Sequence, residues 1–406
     1  MGSRHFPART VLFEREPSGV TYRVPALLYI PCMAKLLAFA EERLSIDDAH
    51  ANLLVLRRGT FLRNYVEVNM RALETATLKH HRSMNPCPVY DEFTGIVFLF
   101  FTAVLGKTSE AYQIITGQNV ARLCYVSSSD QGQSWSKVTD LTQQVIGRSI
   151  TDWATFALGP GHGIQLKSGR LLVPAYTYHI DCKECFGKLC KTTPHSFTFY
   201  SDDHGQRWRF GEFIPNLPTV ECQMVSVDEE DGSNVLYCNA RSPLGFRVQA
   251  LSMDDGAVFH LGQLVQRLVE PPHGCHGSII GFPTPTWVLY SHPTSSRSRI
   301  NMGVYLSTFP RDADSWTEPW VIYEGPSAYS DLAYIELTYS EFSATGIPAI
   351  AFACLYENGM RSPYEQISFS MFTLYDVIQN IPLKATSPDP KHHLYKKKRG
   401  RSCVTS

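Results

Sequence analysis

The sequence contains no apolar run long enough to cross a bilayer. The longest, "GIVFLFFTAVL" (95–105), falls well short of the ~20 residues a spanning helix needs and reads as a buried central strand. The opening "MGSRHFPARTVLFEREPSG" lacks the apolar core of a secretory signal, so no cleaved leader is expected. Phe6 stands where a myristoylation start requires Ser or Thr, which excludes that anchor. Charge is sparse, at 18% Asp, Glu, Lys and Arg with a net of −1, and no nucleic-acid partner is expected. Eleven cysteines, an odd number without a framework spacing, argue against a disulfide scaffold and suit reduced thiols in the cytosol. No long amphipathic helical pattern is present, and no Gly/Ser linker or composition shift precedes residue 384.

What the chain does have is short strands and a repeated turn. Runs such as "TYRVPALLYI" (21–30), "ANLLVLRRG" (51–59), "RLLVPAYTY" (170–178) and "NVLYCNAR" (234–241) are bounded by Gly, Pro, Asn or Asp. "SSDQGQSW" places Ser128, Asp130, Gly132 and Trp135 at offsets 0, 2, 4 and 7. "SDDHGQRW" repeats the spacing with Ser201, Asp203, Gly205 and Trp208, and "SMDDGAVF" with Ser252, Asp254, Gly256 and Phe259. Asp folds its carboxylate onto nearby amides, Gly supplies positive φ, and the aromatic anchors the turn into the sheet below. Three copies, with aspartates 73 and then 51 residues apart, point to an all-β radial repeat of four-stranded units.

Candidate chemistry is scattered. Cys182, Cys185, Cys190 and His195 fall within fourteen residues. Without a second CxxC this cluster reads as a cysteine-bearing loop between strands, so neither metal nor cofactor is expected. Arg23 in "YRVP", Arg241 in "NARS" and Arg299 in "RINMG" stand beside apolar strands. Each guanidinium there needs an anionic partner, either a protein carboxylate or a substrate. Alone, these arginines, Tyr329 in "AYSDL" and Glu221 in "VECQ" also fit ordinary ion pairs and packed rim residues.

Taken with the repeats, "YRVP", "FAEER", "HRSMNPCP", "VPAYTY", "NARS", "EPPHGC", "AYSDL" and "CLYE" resemble the sialidase (exo-α-neuraminidase) family over about residues 10–380. "GPGHGIQLKSGRLLVPAYTYHI" and "PHSFTFYSDDHG" tilt the resemblance toward its plasma-membrane-associated, ganglioside-directed members. The resemblance implies a six-bladed β-propeller with Asp-box (BNR) repeats over residues 1–383, its site at the axis. It implies a retaining exo-α-sialidase acting on sialylated glycolipids and oligosaccharides. The alternative is a non-catalytic sialic-acid-binding propeller, a lectin or scaffold, because this fold carries several functions.

By the same resemblance, Arg23, Arg241 and Arg299 form a triad for the substrate carboxylate, with Glu357 as buttress to Arg23. Tyr329 is the nucleophile and Glu221 its base. Asp48 in "SIDDAH" is the acid/base, with Asp47 the adjacent alternative. Arg43 and Glu41 lie beside the triad, Met84 and Asn85 line an N-acetyl pocket, and Glu110, Tyr176 and Tyr178 face the amide and glycerol chain. One departure stands out: the family's "GCQGS" is "GCHGS" here, so His276 replaces a glutamine. An imidazole that charges near pH 6.5 would be expected to shift the pH optimum or the linkage preference.

The end of the chain differs from the rest. "KHHLYKKKRGRSCVTS" (391–406) carries six Lys and Arg and no acid. Removing its +6 from the chain's −1 leaves −7 on residues 1–390. Residues 384–406 are therefore expected to form a basic, disordered tail drawn to an anionic membrane surface, and the family resemblance implies that this surface is the plasma membrane. A solvated cytoplasmic tail and a nuclear-import signal are the alternatives. "CVTS" places Cys403 four from the end as in a prenylation box, which Thr405 fits poorly.

Overall fold

The computed structural model describes residues 5–60, 65–66, 69–185, 189–284, 286–337 and 349–382; the basic tail lies outside them. The regular structure of the described residues is almost wholly antiparallel sheet, in a propeller-like arrangement. Four sheets follow one another along the chain, each a meander of four main strands. They begin with the strands Thr21–Ile30, His81–Asp91, Trp153–Leu158 and Cys222–Asp228. A fifth, seven-stranded sheet starts at Ser278–Gly281 and turns on the long strand Trp320–Leu337. The first part of that strand pairs with Ile300–Ser307 and its second part with Ala349–Asn358. Arg9–Glu14 supplies the outermost strand of this last sheet by pairing with Gln366–Thr373, so the two ends of the described chain close on each other.

The hydrophobic core is divided among the contacts between neighbouring sheets. Thr21–Ile30 is buried at nine of its ten positions, as a strand with neighbours on both faces must be. Each Asp-box turn reaches across such a boundary. Ser128 Oγ donates to Asp130 at 2.8 Å and accepts the Gly132 N–H at 2.8 Å. Ser201 with Asp203 and Gly205, and Ser252 with Asp254 and Gly256, repeat this pair within 0.1 Å. Trp208 then packs edge-on against Phe100 of the preceding sheet at 4.6 Å, and Trp135 against Phe39 at 6.0 Å. The aromatic therefore rivets its turn to the neighbouring sheet and not only to the sheet beneath.

At the centre the sheets share one carboxylate. Asp331, fully buried, accepts from Leu27 N–H at 2.7 Å, His162 Nδ1 at 2.7 Å, Gln223 Nε2 at 2.9 Å and Ser278 Oγ at 3.0 Å. These partners come from different sheets or from the loop after Trp153–Leu158. Gly161 passes so close that a Cβ would sit 2.0 Å from Gln223 Nε2, which is why no side chain fits there. A buried carboxylate with this many donors is satisfied, and it binds the inner strands to one another.

Candidate active site

A cavity of about 740 Å³ opens above this hub. Its lining includes Arg23, Glu41, Arg43, Asp48, Met84, Asn85, Glu110, Tyr176, Tyr178, Glu221, Arg241, Arg299 and Tyr329. Every expected site residue thus meets in one place except Glu357, which lies behind Arg23, fully buried. Three inner strands break register at the cavity, between Arg23 and Ala26, between Met84 and Cys87, and between Ser327 and Ser330. Bulges of this kind turn side chains out of the pleat and toward a site. Val24 and Asn85 take φ of +60° and +56° at two of these breaks. For a β-branched residue this is strained, and the Val24 N–H is held by Glu357 Oε2 at 3.1 Å.

The three arginines converge with unequal support. Arg23 Nε and Nη2 donate to the two oxygens of Glu357 at 2.8 and 3.1 Å. Glu357 also accepts the Tyr329 N–H at 2.9 Å, so one carboxylate aligns an arginine and the strand bearing the tyrosine. Arg241 Nη1 donates to Glu221 at 2.8 Å and to the Tyr329 hydroxyl at 3.1 Å. Arg299 has no ion pair among the described residues; it donates to the Tyr364 hydroxyl at 3.1 Å and the Gly274 carbonyl at 3.1 Å. Arg23 and Arg299 lie over the Tyr329 ring at 5.0 and 5.6 Å.

The Tyr329 hydroxyl donates to Glu221 Oε1 in a short hydrogen bond. Burial pushes the Tyr329 phenol well above its ordinary range, and Glu221 adds to this against the pull of the three arginines. Burial also opposes charge on Glu221, but Arg241 prevails and holds it below the usual carboxylate range. The pair is thus a neutral phenol donating to a carboxylate. Asp48 accepts from Arg43 Nη1 and lies 3.7 Å from Arg23 Nη1. Arg43 and then Arg23 outweigh burial and keep Asp48 ionised. Asp47 instead caps the short turn at 48–50, accepting the Ala49 N–H at 2.9 Å.

Glu41 accepts Arg43 Nη2 at 2.8 Å and the Asn85 N–H at 2.9 Å. Glu110 begins a short helix, Glu110–Thr116, capped by Ser109, and accepts the Tyr176 hydroxyl at 3.0 Å. Water reaches it, yet the cavity walls desolvate it and raise its pKa to about 7.

His276 departs from expectation. It is buried, 4.9 Å from the Tyr329 ring, and Nε2 meets the Pro160 carbonyl at 2.8 Å. A carbonyl only accepts, so Nε2 carries the proton. Desolvation lowers the ring's pKa below the value near 6.5 expected of a free imidazole, against the opposing pull of Glu221 and Asp331. Of the cysteine cluster, Cys182 faces Lys191 across a hairpin and the Cys185 side chain lies outside the described residues. His195 is held by the Ile214 carbonyl at 3.0 Å.

Arg82 and Tyr364 are among the lining residues that were not read from the sequence. Arg82 donates to the Thr108 carbonyl at 2.9 Å and stands two residues before Met84, a signal that was available. Tyr364 enters from the loop after Glu357, where neither spacing nor composition marks it.

The site is thus a pocket in a propeller-like body where three arginines surround a buried tyrosine–carboxylate pair. Residues 67–345 match the family model described as "BNR repeat-like domain". The chain is 48% identical to Sialidase-4 of Mus musculus, with 94% of this chain and 96% of that protein covered. It is 44% identical to Sialidase-3 of Homo sapiens, with 93% and 95% covered. In architecture it resembles the solved Hadza microbial sialidase Hz136, with a TM-score of 0.70 and 22% identity over 88% of this chain and 66% of that one. The chain belongs to the sialidase family and is a glycoside hydrolase. Of the two curated relatives, Sialidase-4 has the higher identity, so identity does not carry the tilt toward the ganglioside-directed members.

Proposed function

We propose that the chain is a retaining exo-α-sialidase built on six blades, with the seven-stranded sheet counted as two blades that share Trp320–Leu337. The observation that carries the mechanism is the Tyr329–Glu221 pair inside the cluster of Arg23, Arg241 and Arg299. The substrate carboxylate would take charge-assisted hydrogen bonds from the three guanidiniums. Tyr329 then attacks the anomeric carbon as its proton passes to Glu221. A neutral phenol approaches a carbon that already bears a carboxylate without the repulsion an anionic nucleophile would meet. Asp48 protonates the departing glycosidic oxygen, then accepts a proton from the water that cleaves the sialyl–tyrosine bond. Configuration is retained because the anomeric carbon is displaced twice.

Met84 offers apolar contact to the N-acetyl methyl, beside Asn85. Glu110, Tyr176 and Tyr178 offer polar partners to the amide and glycerol chain. Sialylated glycolipids are the proposed substrates, over oligosaccharides, and the inner leaflet of the plasma membrane the proposed location. A lectin would need the arginines alone; the tyrosine donating to a carboxylate favours the hydrolase.

The test is labelling with a 2,3-difluorinated sialic acid, followed by peptide mapping. The adduct is expected on the peptide bearing Tyr329 and should be lost in Tyr329→Phe. A label on a carboxylate would overturn the tyrosine mechanism.

A further inference from the structure

We propose that Tyr364 is a positioning residue that sets the geometry of the anion-binding arginines, acting chiefly on Arg299. The inference deepens the reading above and rests on it.

Two of the three arginines are aimed by carboxylates, Arg23 by Glu357 and Arg241 by Glu221. Arg299 has no such partner among the described residues, which leaves its charge free for an incoming anion. It also leaves its direction to weaker contacts. Three guanidiniums gathered around one ring repel each other, and an untethered arginine would swing outward into water. Tyr364 opposes this in two ways. Its hydroxyl accepts from Arg299 Nη1 at 3.1 Å, and its ring lies under Arg23, 4.0 Å from Cζ to the ring centre. One side chain therefore spans two of the three cations. A phenol can do this without neutralising either one, whereas a carboxylate at that point would compete with the substrate.

The loop that delivers Tyr364 is built to be rigid. Glu365 accepts the N–H groups of Met360 at 2.9 Å, Arg361 at 2.9 Å and Ser362 at 3.0 Å. The Tyr364 carbonyl accepts from Thr21 Oγ1 at 2.9 Å, two residues before Arg23. Gly359 opens the loop where a Cβ would lie 2.0 Å from the Ser362 carbonyl oxygen. The ring thus arrives on a braced turn that is pinned to the strand it serves.

The experiment is a double-mutant cycle of Tyr364→Phe and Arg299→Lys. It is read as KM and kcat on sialyl-lactose, and as Kd for free N-acetylneuraminate by NMR titration. Tyr364→Phe keeps the ring under Arg23 and loses only the hydroxyl. It should raise KM and Kd about 5- to 10-fold, with kcat within about twofold and the unfolding temperature unchanged. In the Arg299→Lys background the same change should do almost nothing, because the geometry it maintained is gone. Tyr364→Leu, which also removes the ring, should weaken binding further.

An unchanged KM in Tyr364→Phe, or an equal effect in both backgrounds, overturns the proposal. Failure of the wild type to cleave any sialoside, with the Kd ratio intact, overturns the hydrolytic reading and leaves the role of Tyr364 standing. Absence of N-acetylneuraminate binding overturns both.

Discussion

Glu110 and Asp48 line the same cavity, yet their carboxyls are driven in opposite directions. Asp48 has two arginines for neighbours and is held as the anion, whereas Glu110 has a tyrosine and desolvating walls and is raised to about 7. In the proposed cycle Asp48 must be protonated before it can donate, so it has to leave Arg43 and Arg23. The incoming substrate carboxylate, competing for Arg23, supplies part of the drive. The consequence for Glu110 is measurable. Between its ordinary value of 4.5 and about 7 the folded protein keeps a proton that the unfolded chain has released. Stability should therefore fall as pH rises through that window, and Glu110→Gln should remove this part of the slope. Since water reaches the cavity mouth, the difference should be only about 2 °C in unfolding temperature. Melting curves at pH 5 and pH 7.5 check it, and an identical slope in both proteins would refute the assignment.

The element that the sequence marks best, the Asp-box turn, lies at the far end of the strands from the cavity. Leu171 pairs with Ser201 at the turn end, whereas Tyr178 pairs with Pro194 at the cavity end. Asp203 accepts from Ser201 Oγ at 2.9 Å and from the Arg207 N–H at 2.8 Å. Those bonds shape the turn that sets Gly205 against Phe98 and Trp208 against Phe100. Asp203→Ala should cost about 1–3 kcal/mol in denaturant unfolding, while kcat on sialyl-lactose stays within about twofold. A loss of turnover as large as the loss of stability would mean that the turn communicates with the site. A degenerate fourth turn, Ser307–Trp316, keeps the serine and the buried tryptophan but lengthens the spacing, so the offset pattern passes over it. There Ser307 Oγ meets Ser315 Oγ at 2.6 Å in place of an aspartate.

At the scale of the molecule, the described body ends before the basic residues of the tail begin. The body closes on itself through Arg9–Glu14, while the six basic residues of 391–406 follow the last described helix, Leu374–Asn380. If the tail holds the protein at anionic lipid, each cation near the surface contributes about 1 kcal/mol. The full chain should then sediment with phosphatidylserine vesicles at low salt and be released at high salt. A chain ending at residue 390 should stay in the supernatant under both conditions. Equal recovery of the two would end the role proposed for the tail.

Local pattern determined the all-β class and the three Asp-box turns, and the resemblance to the sialidase family supplied the residues that meet in the cavity. Turn chemistry and strand alternation are written in neighbouring residues, and the "YRVP" and "AYSDL" signatures bring Arg23 and Tyr329 with them. What no resemblance supplied was decided only in three dimensions. Asp331 gathers strands from around the centre, and Tyr364 arrives under Arg23 and beside Arg299 from a loop without a motif. The charge states followed the same rule. Burial lowers the pKa of His276, and Arg43 folding onto Asp48 lowers that of its carboxyl. Burial and long-range partners set a pKa, and neither is a property of the residue's neighbours in sequence.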